Sequence, residues 1–189
     1  CDAACKLVRS FAGGVPFAGI IKHLNPGGAA LGASLEEALH KAKRCDPRSH
    51  FGGIIVCNQS INRQVAEAIR EDFAEIILAP DFEEDAFSVL SRSKNLRLMQ
   101  IDLDAAVNPL VLRSIEGGIL IQDRDRRIST VAEAELVTGR KISAAEQNDL
   151  QFAWVLVSHL KSNAVAIVRE GLLIGAGAGQ MSRIDAVEL

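Results

Sequence analysis

The sequence alternates short apolar runs with segments in which apolar residues recur every three or four positions. The short runs are typical of buried strands, and the periodic segments are typical of amphipathic helices. Strands are predicted over residues 16–21, 52–58, 75–80 and 96–101, and helices over 2–11, 34–45, 63–73 and 82–93. Alternation at this spacing predicts an α/β fold with a largely parallel sheet covered by helices. Ligands of such sheets collect outside the carboxyl ends of the strands.

Helix starts carry local signals. Ser34 and Glu37 form the S-x-x-E pattern of a capping box, and Ser143 and Glu146 repeat it before a long helix predicted over 144–160. Asn62 is the expected N-cap of the helix over 63–73.

The alternation breaks at residues 102–110, a polar stretch that contains Pro109. We therefore predict a first unit over 1–108 and the start of a second over 109–189. Strands of the second part are expected over 117–122, 163–168 and 172–178. The last residues are typical of the first turns of a helix. Because such a unit is unfinished and the chain begins at Cys1, we expect a piece of a longer protein.

Composition narrows the function. The 189 residues are 48% hydrophobic, which is enough for a sizeable core, and the net charge is −3 with a pI of about 5.8. No basic patch favours nucleic acid as a partner. No stretch approaches the roughly 20 apolar residues of a membrane span. A small anionic ligand, which needs only local donors, remains open.

The four cysteines do not have the spacing of a zinc site. Cys57 lies in an apolar strand and is expected to be a small core residue. This usage favours a reduced, cytoplasmic protein.

A lysine and a histidine end the first predicted strand. Lys22 and His23 are followed by a loop of Asn, Pro and glycines over 24–32. Two solvated side chains at a strand end are the simpler interpretation. The alternative is a catalytic pair, in which the histidine takes a proton and the lysine stabilises negative charge. Glycines 27, 28 and 32 would then let a ligand approach the backbone.

Three other stretches have two interpretations each. Gly52 is interpreted either as part of an ordinary turn or as a position where a ligand approaches the backbone. The neighbouring Phe51 is either a stacking surface for a ligand or a core residue. Asn163 is a cap or recognises a carboxamide. Residues 175–183 lead from a strand towards a helix, but Gln180 replaces the last glycine of the dinucleotide-binding pattern. Arg183 could supply a planar donor there.

Together, six segments in order resemble one family: "IIKHLNPGGAALG", "DPRSHFGGIIVCN", "IILAPDFEEDA", "GGILIQDRD", "KSNAV" and "IGAGAGQMSR". The family is the transformylase domain of the bifunctional purine biosynthesis proteins. In these proteins, 5-aminoimidazole-4-carboxamide ribonucleotide (AICAR) formyltransferase is joined to inosine monophosphate cyclohydrolase. The resemblance covers essentially the whole chain. It implies cytidine-deaminase-like units, with a mixed sheet and covering helices, and no metal in catalysis.

The resemblance also implies roles for residues. Lys22 is expected to stabilise the transition state and His23 to accept the proton. The substrate-binding positions match Gly52, Glu75, Asn163 and Arg183, and the folate-binding positions match Phe51 and Ile184. The implied reaction transfers a formyl group from 10-formyltetrahydrofolate to the 5-amino group of AICAR. A homodimer is expected, with AICAR and folate as ligands.

The chain departs from the family in two respects. Many bacterial relatives have N-P-C-G after the lysine–histidine pair, where this chain has N-P-G-G at 25–28. The cyclohydrolase domain is absent from the sequence. An alternative function is therefore a truncated or non-catalytic nucleotide-binding or assembly module of the same fold. A cytidine-deaminase-like hydrolase is disfavoured because its zinc ligands are missing.

Overall fold

A computed structural model describes residues 1–125 and 129–188, which build a seven-stranded sheet with helices on both faces. The helices are Asp2–Arg9 (α1), Leu35–Cys45 (α2), Arg63–Ile69 (α3), Glu84–Leu90 (α4), Ala144–Ser158 (α5) and Asp185–Glu188 (α6). The strands are Phe17–Lys22 (β1), Asn25–Leu31 (β2), Gly53–Cys57 (β3), Ala74–Ala79 (β4), Arg97–Gln100 (β5), Leu110–Ile115 (β6), Gly118–Asp123 (β7), Val165–Arg169 (β8) and Leu172–Gly177 (β9).

The large sheet is mixed, in the order β5-β4-β3-β1-β2-β9-β8. Only the pairs β3–β4 and β4–β5 are parallel, and the other four pairs are antiparallel. The expectation of a largely parallel sheet was therefore wrong, whereas the mixed sheet with covering helices that the resemblance implied is confirmed. The physical reason is the tight β1–β2 turn, which reverses the chain where a helical crossover was assumed.

Strand β2 was predicted as a loop, and this was also wrong. Its first residues, Asn-Pro-Gly-Gly, are typical of a turn. The strand tolerates them because its register with β1 shifts there: Ile21 pairs with Pro26 and Ile20 with Gly28, which leaves Gly27 as the extra residue. Proline is accepted at such a bulge since it has no N–H to donate.

The two faces of the sheet bury two separate clusters. On one face α2, α3 and α4 cover the sheet, and the cluster there includes Ile20, Leu39 and Ile77. On the other face α1 and α5 cover it, and that cluster includes Phe17 and Leu156. The two-residue period of the strands sends alternate side chains into opposite clusters. Cys57 is fully buried, as predicted, and burial raises the pKa of its thiol to about 12.

Helix caps follow the sequence signals closely. The hydroxyl of Ser143 accepts from the N–H of Glu146, whose carboxylate in turn accepts from the N–H of Ser143 at 2.8 Å. This pairing, with Arg140 beside it, lowers the pKa of Glu146 to about 2. At α2 the hydroxyl of Ser34 accepts from the N–H of Glu37 at 3.2 Å, but the Glu37 carboxylate reaches one residue further back, to Ala33.

Strands β8 and β9 belong to the same sheet as β1–β5, although about 60 residues separate them from β5 along the chain. The hairpin of β6 and β7 stands apart from that sheet, and β6 was not predicted. The division of the chain at residue 108 stays a prediction.

Candidate functional site

All eight residues singled out from the sequence lie at one edge of the large sheet. Because β1 and β9 run in the same direction, their carboxyl ends lie at this edge together with the amino ends of β2, β3, β4 and β8. The edge therefore mixes both kinds of strand end, unlike the carboxyl edge expected of a parallel sheet.

The turn that carries His23 has an unusual backbone. Lys22 pairs with Asn25, so His23 and Leu24 form a two-residue hairpin turn. Their φ values are +49° and +74°, in the left-handed region that glycine or asparagine normally fills in such turns. Residues other than glycine cost about 1–2 kcal/mol each in this conformation. Strain of this kind is found at functional sites, and the catalytic interpretation of this turn stays a prediction.

Lys22 is anchored to the segment that carries Gly52. Its Nζ donates to the carbonyl oxygen of Phe51 at 2.5 Å, and a lysine ammonium has two further N–H donors for a ligand. Gly52 has φ +69°, and its N–H donates to the carbonyl oxygen of Phe73 at 2.7 Å. A Cβ at Gly52 would lie 3.5 Å from both Lys22 Nζ and the Phe73 ring. The glycine therefore keeps open a small space between the ammonium and an aromatic ring.

Phe73 was not identified from the sequence, where it falls at the end of a predicted helix. The helix ends at Ile69, and Phe73 instead precedes β4. Its ring packs against Phe51 with centroids 5.2 Å apart. The two rings are 60% (Phe51) and 45% (Phe73) exposed, so Phe51 is not a core residue and the pair offers an aromatic surface to a ligand.

Glu75 lies near the amino end of β4, at the same edge of the sheet as Lys22. Gly53 pairs with Ala74 and Ile54 with Ile76, which makes Glu75 the extra residue of a bulge in β4. Its side chain is exposed at the sheet edge. Two strand spacings separate β1 from β4, so Glu75 lies about 10 Å from the Lys22 position.

Asn163, Arg183 and Ile184 lie on the other side of β2. The carboxamide of Asn163 donates to the carbonyl oxygens of Gln180 and Met181, both at 3.1 Å. Its nitrogen thus holds the segment after β9, as a turn residue would, and among the described residues no donor to its Oδ1 is found. Arg183 and Ile184 are exposed just before α6. Strands β2 and β9 lie between Lys22 and β8 in the sheet order.

A cleft separates these two groups of residues. Strands β2 and β9 pair only at Ala30 and Leu172, far from the Lys22 edge. Towards that edge they enclose an open cleft of about 820 Å³, a size common for ligand sites. Its lining comprises Lys22, His23, Asn25, Pro26, Gly27, residues 45–49, Leu160, Leu173, Ile174, Gly175, Ala176 and Ala178. Lys22 and His23 thus line one large cleft together.

Two of the three glycines in and just after β2 have roles other than those expected. A Cβ at Gly28 would lie 2.3 Å from the Ala42 carbonyl oxygen, and one at Gly32 would lie 2.6 Å from the Ala38 nitrogen. These two glycines let α2 pack closely, so the prediction that they admit a ligand was wrong. A Cβ at Gly27, by contrast, meets nothing within 4 Å, and Gly27 lines the cleft.

Cys45 and Asp46 form part of the cleft wall. Burial raises the pKa of the Cys45 thiol, which disfavours a thiolate there. Hydrogen bonds from Ser49 lower the pKa of the Asp46 carboxyl, so Asp46 is an ionised loop anchor. Within residues 1–125 and 129–188, no group of three metal-ligating side chains is found. Across the same residues, no helix is long and apolar enough to cross a membrane.

Comparison with known proteins gives a match over the whole chain. The family model described as "AICARFT/IMPCHase bienzyme" matches residues 1–189. The chain belongs to this family. Its relatives include the "Bifunctional purine biosynthesis protein PurH" of Bacillus subtilis, 41% identical over 189 residues, and that of Dinoroseobacter shibae, 44% identical over 191 residues. Both alignments cover 100% of this chain and 36% of the relative.

The chain thus spans just over a third of the length of these family members. The name of these relatives assigns those proteins to purine biosynthesis. A solved dCMP deaminase from the cyanophage S-TIM5 is also similar in structure, with TM-score 0.43 and 12% identity over 52% of this chain and 95% of that one. At these values the likeness carries no functional argument.

Proposed function

We propose that this chain provides catalytic and substrate-binding residues for formyl transfer from 10-formyltetrahydrofolate to the 5-amino group of AICAR. The observation that carries the proposal is that Lys22 and His23 line one cleft of about 820 Å³, in a chain that matches the AICARFT/IMPCHase family throughout. The left-handed backbone at His23 adds support because such strain is retained where function requires it.

The proposed chemistry has two demands. The 5-amino group is a weak nucleophile since its lone pair is delocalised into the imidazole ring. His23 accepts a proton from this amine as its nitrogen bonds to the formyl carbon. Lys22 stabilises the negative charge that develops on the formyl oxygen. The bond from the formyl carbon to N10 of the folate then breaks, and N10 takes up a proton to give tetrahydrofolate and the formamido-ribonucleotide.

The remaining predicted contacts divide between the two sides of the cleft. Gly52, Glu75 and Phe51 would contact ligands beside Lys22. Asn163, Arg183 and Ile184 would do so from beyond β9. A reaction between two large substrates needs contacts on both sides to hold the amine against the formyl carbon.

The test is formyl-transfer kinetics in a protein that contains this chain. His23→Ala should lower kcat by roughly 10²- to 10⁴-fold, as expected for a positioned general base, and should change nucleotide affinity less. His40→Ala is the matched control because His40 is an exposed histidine on α2 that does not line the cleft. If the His23 and His40 variants had the same turnover, His23 would not be the proton acceptor and would be interpreted as a solvated turn residue.

The other predicted partners are part of the same proposal. We propose a cytoplasmic homodimer that uses the folate as co-substrate. Support for association comes from β6 and β7, where Leu112, Ile119 and Ile121 are each more than half exposed. Analytical ultracentrifugation of the 189-residue chain should show concentration-dependent association, and a monomer at all concentrations would count against the dimer.

A further inference from the structure

The cleft carries more positive than negative charge. Two cationic side chains line it, Lys22 and Arg48, against the single acid Asp46. Asp46 Oδ1 accepts from the backbone N–H groups of Arg48 at 3.1 Å and Ser49 at 2.9 Å. Asp46 Oδ1 thus binds the loop backbone, and with two cations against one carboxylate the rim of the cleft keeps a net positive charge.

Arg48 is held at this rim by a well-anchored loop. Besides the contacts of Asp46, the carbonyl oxygen of His50 accepts from the N–H of Gly53 at 2.9 Å, which ties the loop to β3. The ring of His50 also lies 3.6 Å from the Asp72 carboxylate. The backbone of the loop is thus fixed on both sides of Arg48.

Arg48 has an exposed side chain at the rim of the cleft. In the described parts of the chain, no carboxylate lies within salt-bridge distance of Arg48 and no carbonyl accepts from its side chain. Some arginines are engaged in the fold: Arg63 donates to Glu67 at 2.9 Å, and Arg9 donates to the Asp102 carbonyl oxygen at 2.9 Å. The five N–H donors of the Arg48 guanidinium are therefore available in the cleft.

The other walls of the cleft are apolar. Pro26, Leu160, Leu173 and Ile174 supply them. A cavity with apolar walls and a charged rim suits a ligand that has a planar ring at one end and an anionic group at the other. Guanidinium binds phosphate and carboxylate oxygens in a two-pronged geometry that lysine does not offer.

We propose that Arg48 forms an anion subsite of this cleft, which binds the phosphate or carboxylate group of a ring-bearing substrate. The inference rests on the proposed function, because both of its substrates have this chemistry: the ribonucleotide has a phosphate, and the folate has a glutamate carboxylate. Arg48 acts in binding and positioning, and the chemistry remains with Lys22 and His23.

The test is calorimetric titration of the 189-residue chain with Arg48→Gln and, as a matched control, Arg44→Gln. Arg44 is an exposed arginine in the last turn of α2 that does not line the cleft. The titrants are inorganic phosphate, AICAR, the corresponding nucleoside without phosphate, 10-formyltetrahydrofolate and its analogue without glutamate. Thermal melts should be unchanged in both variants since both side chains are exposed.

Arg48→Gln should weaken binding of the ligand with the anionic group by about 10- to 100-fold, the usual effect of losing a charge-assisted hydrogen bond. Binding of the matching ligand without that group should not change. A difference confined to the nucleotide pair assigns the phosphate, and one confined to the folate pair assigns the carboxylate. Arg44→Gln should bind every titrant as the wild type does.

Three results would overturn the subsite: equal weakening of a ligand and its analogue without the anion, no weakening at all, or no anion binding by the wild type. Failure of the proposed function looks different. If inorganic phosphate bound in a manner that depends on Arg48 while AICAR and the folate both failed to bind, the anion subsite would stand and its proposed substrates would be wrong. Binding of AICAR and of the folate that are both unaffected by Arg48→Gln would keep the substrate sites and remove the subsite.

Discussion

Replacement of Gly52 by alanine tests the small space beside Lys22. Gly52 has φ +69°, where an L-residue with a side chain is strained. The added Cβ would lie 3.5 Å from Lys22 Nζ and 3.5 Å from the Phe73 ring, which is ordinary van der Waals contact. The methyl group therefore fits the empty site, and its steric effect should appear only when a substrate enters.

The two effects have separate magnitudes. The left-handed conformation costs alanine about 1–2 kcal/mol, and the lower entropy of the unfolded alanine chain offsets roughly 0.4–1 kcal/mol of this. A net loss of about 1 kcal/mol lowers Tm by about 2–4 °C in a chain of this size. A substrate displaced by about 1 Å from the catalytic groups can lose roughly 10²-fold in turnover.

Gly13→Ala is the matched control. Gly13 has φ +66° in the turn before β1, at the opposite edge of the sheet, and its Cβ would meet nothing within 4 Å. Both variants should lose similar stability in thermal melts, while only Gly52→Ala should lose nucleotide affinity and formyl transfer. Equal ligand binding by the two variants would refute the argument that the space at Gly52 receives a substrate.

Further predictions concern recognition, the fold and acid stability. Asn163→Ala should weaken AICAR binding by about 1–3 kcal/mol in calorimetry, because it removes the carboxamide and the support of residues 180–181. Asn58→Ala should destabilise the protein by about 3 kcal/mol in denaturant unfolding, since its buried amide makes three hydrogen bonds, to the N–H of Phe17 and the carbonyls of Phe11 and Val15. The side chain of Lys43 donates to the Asp72 carboxylate and lowers the pKa of Asp72. The ionised Asp72 therefore stabilises the fold at pH values above about 3.9, the pKa of an aspartate in the unfolded chain. The stability difference between wild type and Asp72→Asn should thus shrink as pH falls below about 4, and a difference that grows there would contradict it.

The sequence predicted the elements that have a simple hydrophobic period. Strands β1, β3, β4 and β5 were found within two residues of their bounds, and the caps at Ser34, Asn62 and Ser143 were correct. Local signals suffice for these elements because a buried run or a capping side chain acts within a few residues.

Strand β2 and the mixed sheet could not be predicted in this way. The Asn-Pro-Gly-Gly segment forms a strand only because β1 lies beside it and a bulge accommodates Pro26. The antiparallel direction of β2 relative to β1 follows from the His23–Leu24 turn, whose left-handed backbone no sequence pattern signals. Tertiary contacts thus override local turn preference at this point.

The candidate site was predicted largely through family resemblance. Lys22 and His23 had only a local pattern in their favour, and their common cleft depends on where β9 joins β2. Phe73 and Arg48 were missed because their importance is a matter of position: one lies against Gly52, and the other lines the cleft. Residues from distant parts of the chain meet only in the folded sheet.

The most direct test of the central claim follows a labelled formyl group. A protein containing this chain is mixed with AICAR and 10-formyltetrahydrofolate that carries ¹³C in its formyl carbon, and NMR measures where the label goes. We predict transfer to the 5-amino nitrogen of the nucleotide, at a rate at least roughly 10²-fold lower in His23→Ala. Label that stays on the folate while the wild type binds AICAR would contradict catalysis and leave a nucleotide-binding module.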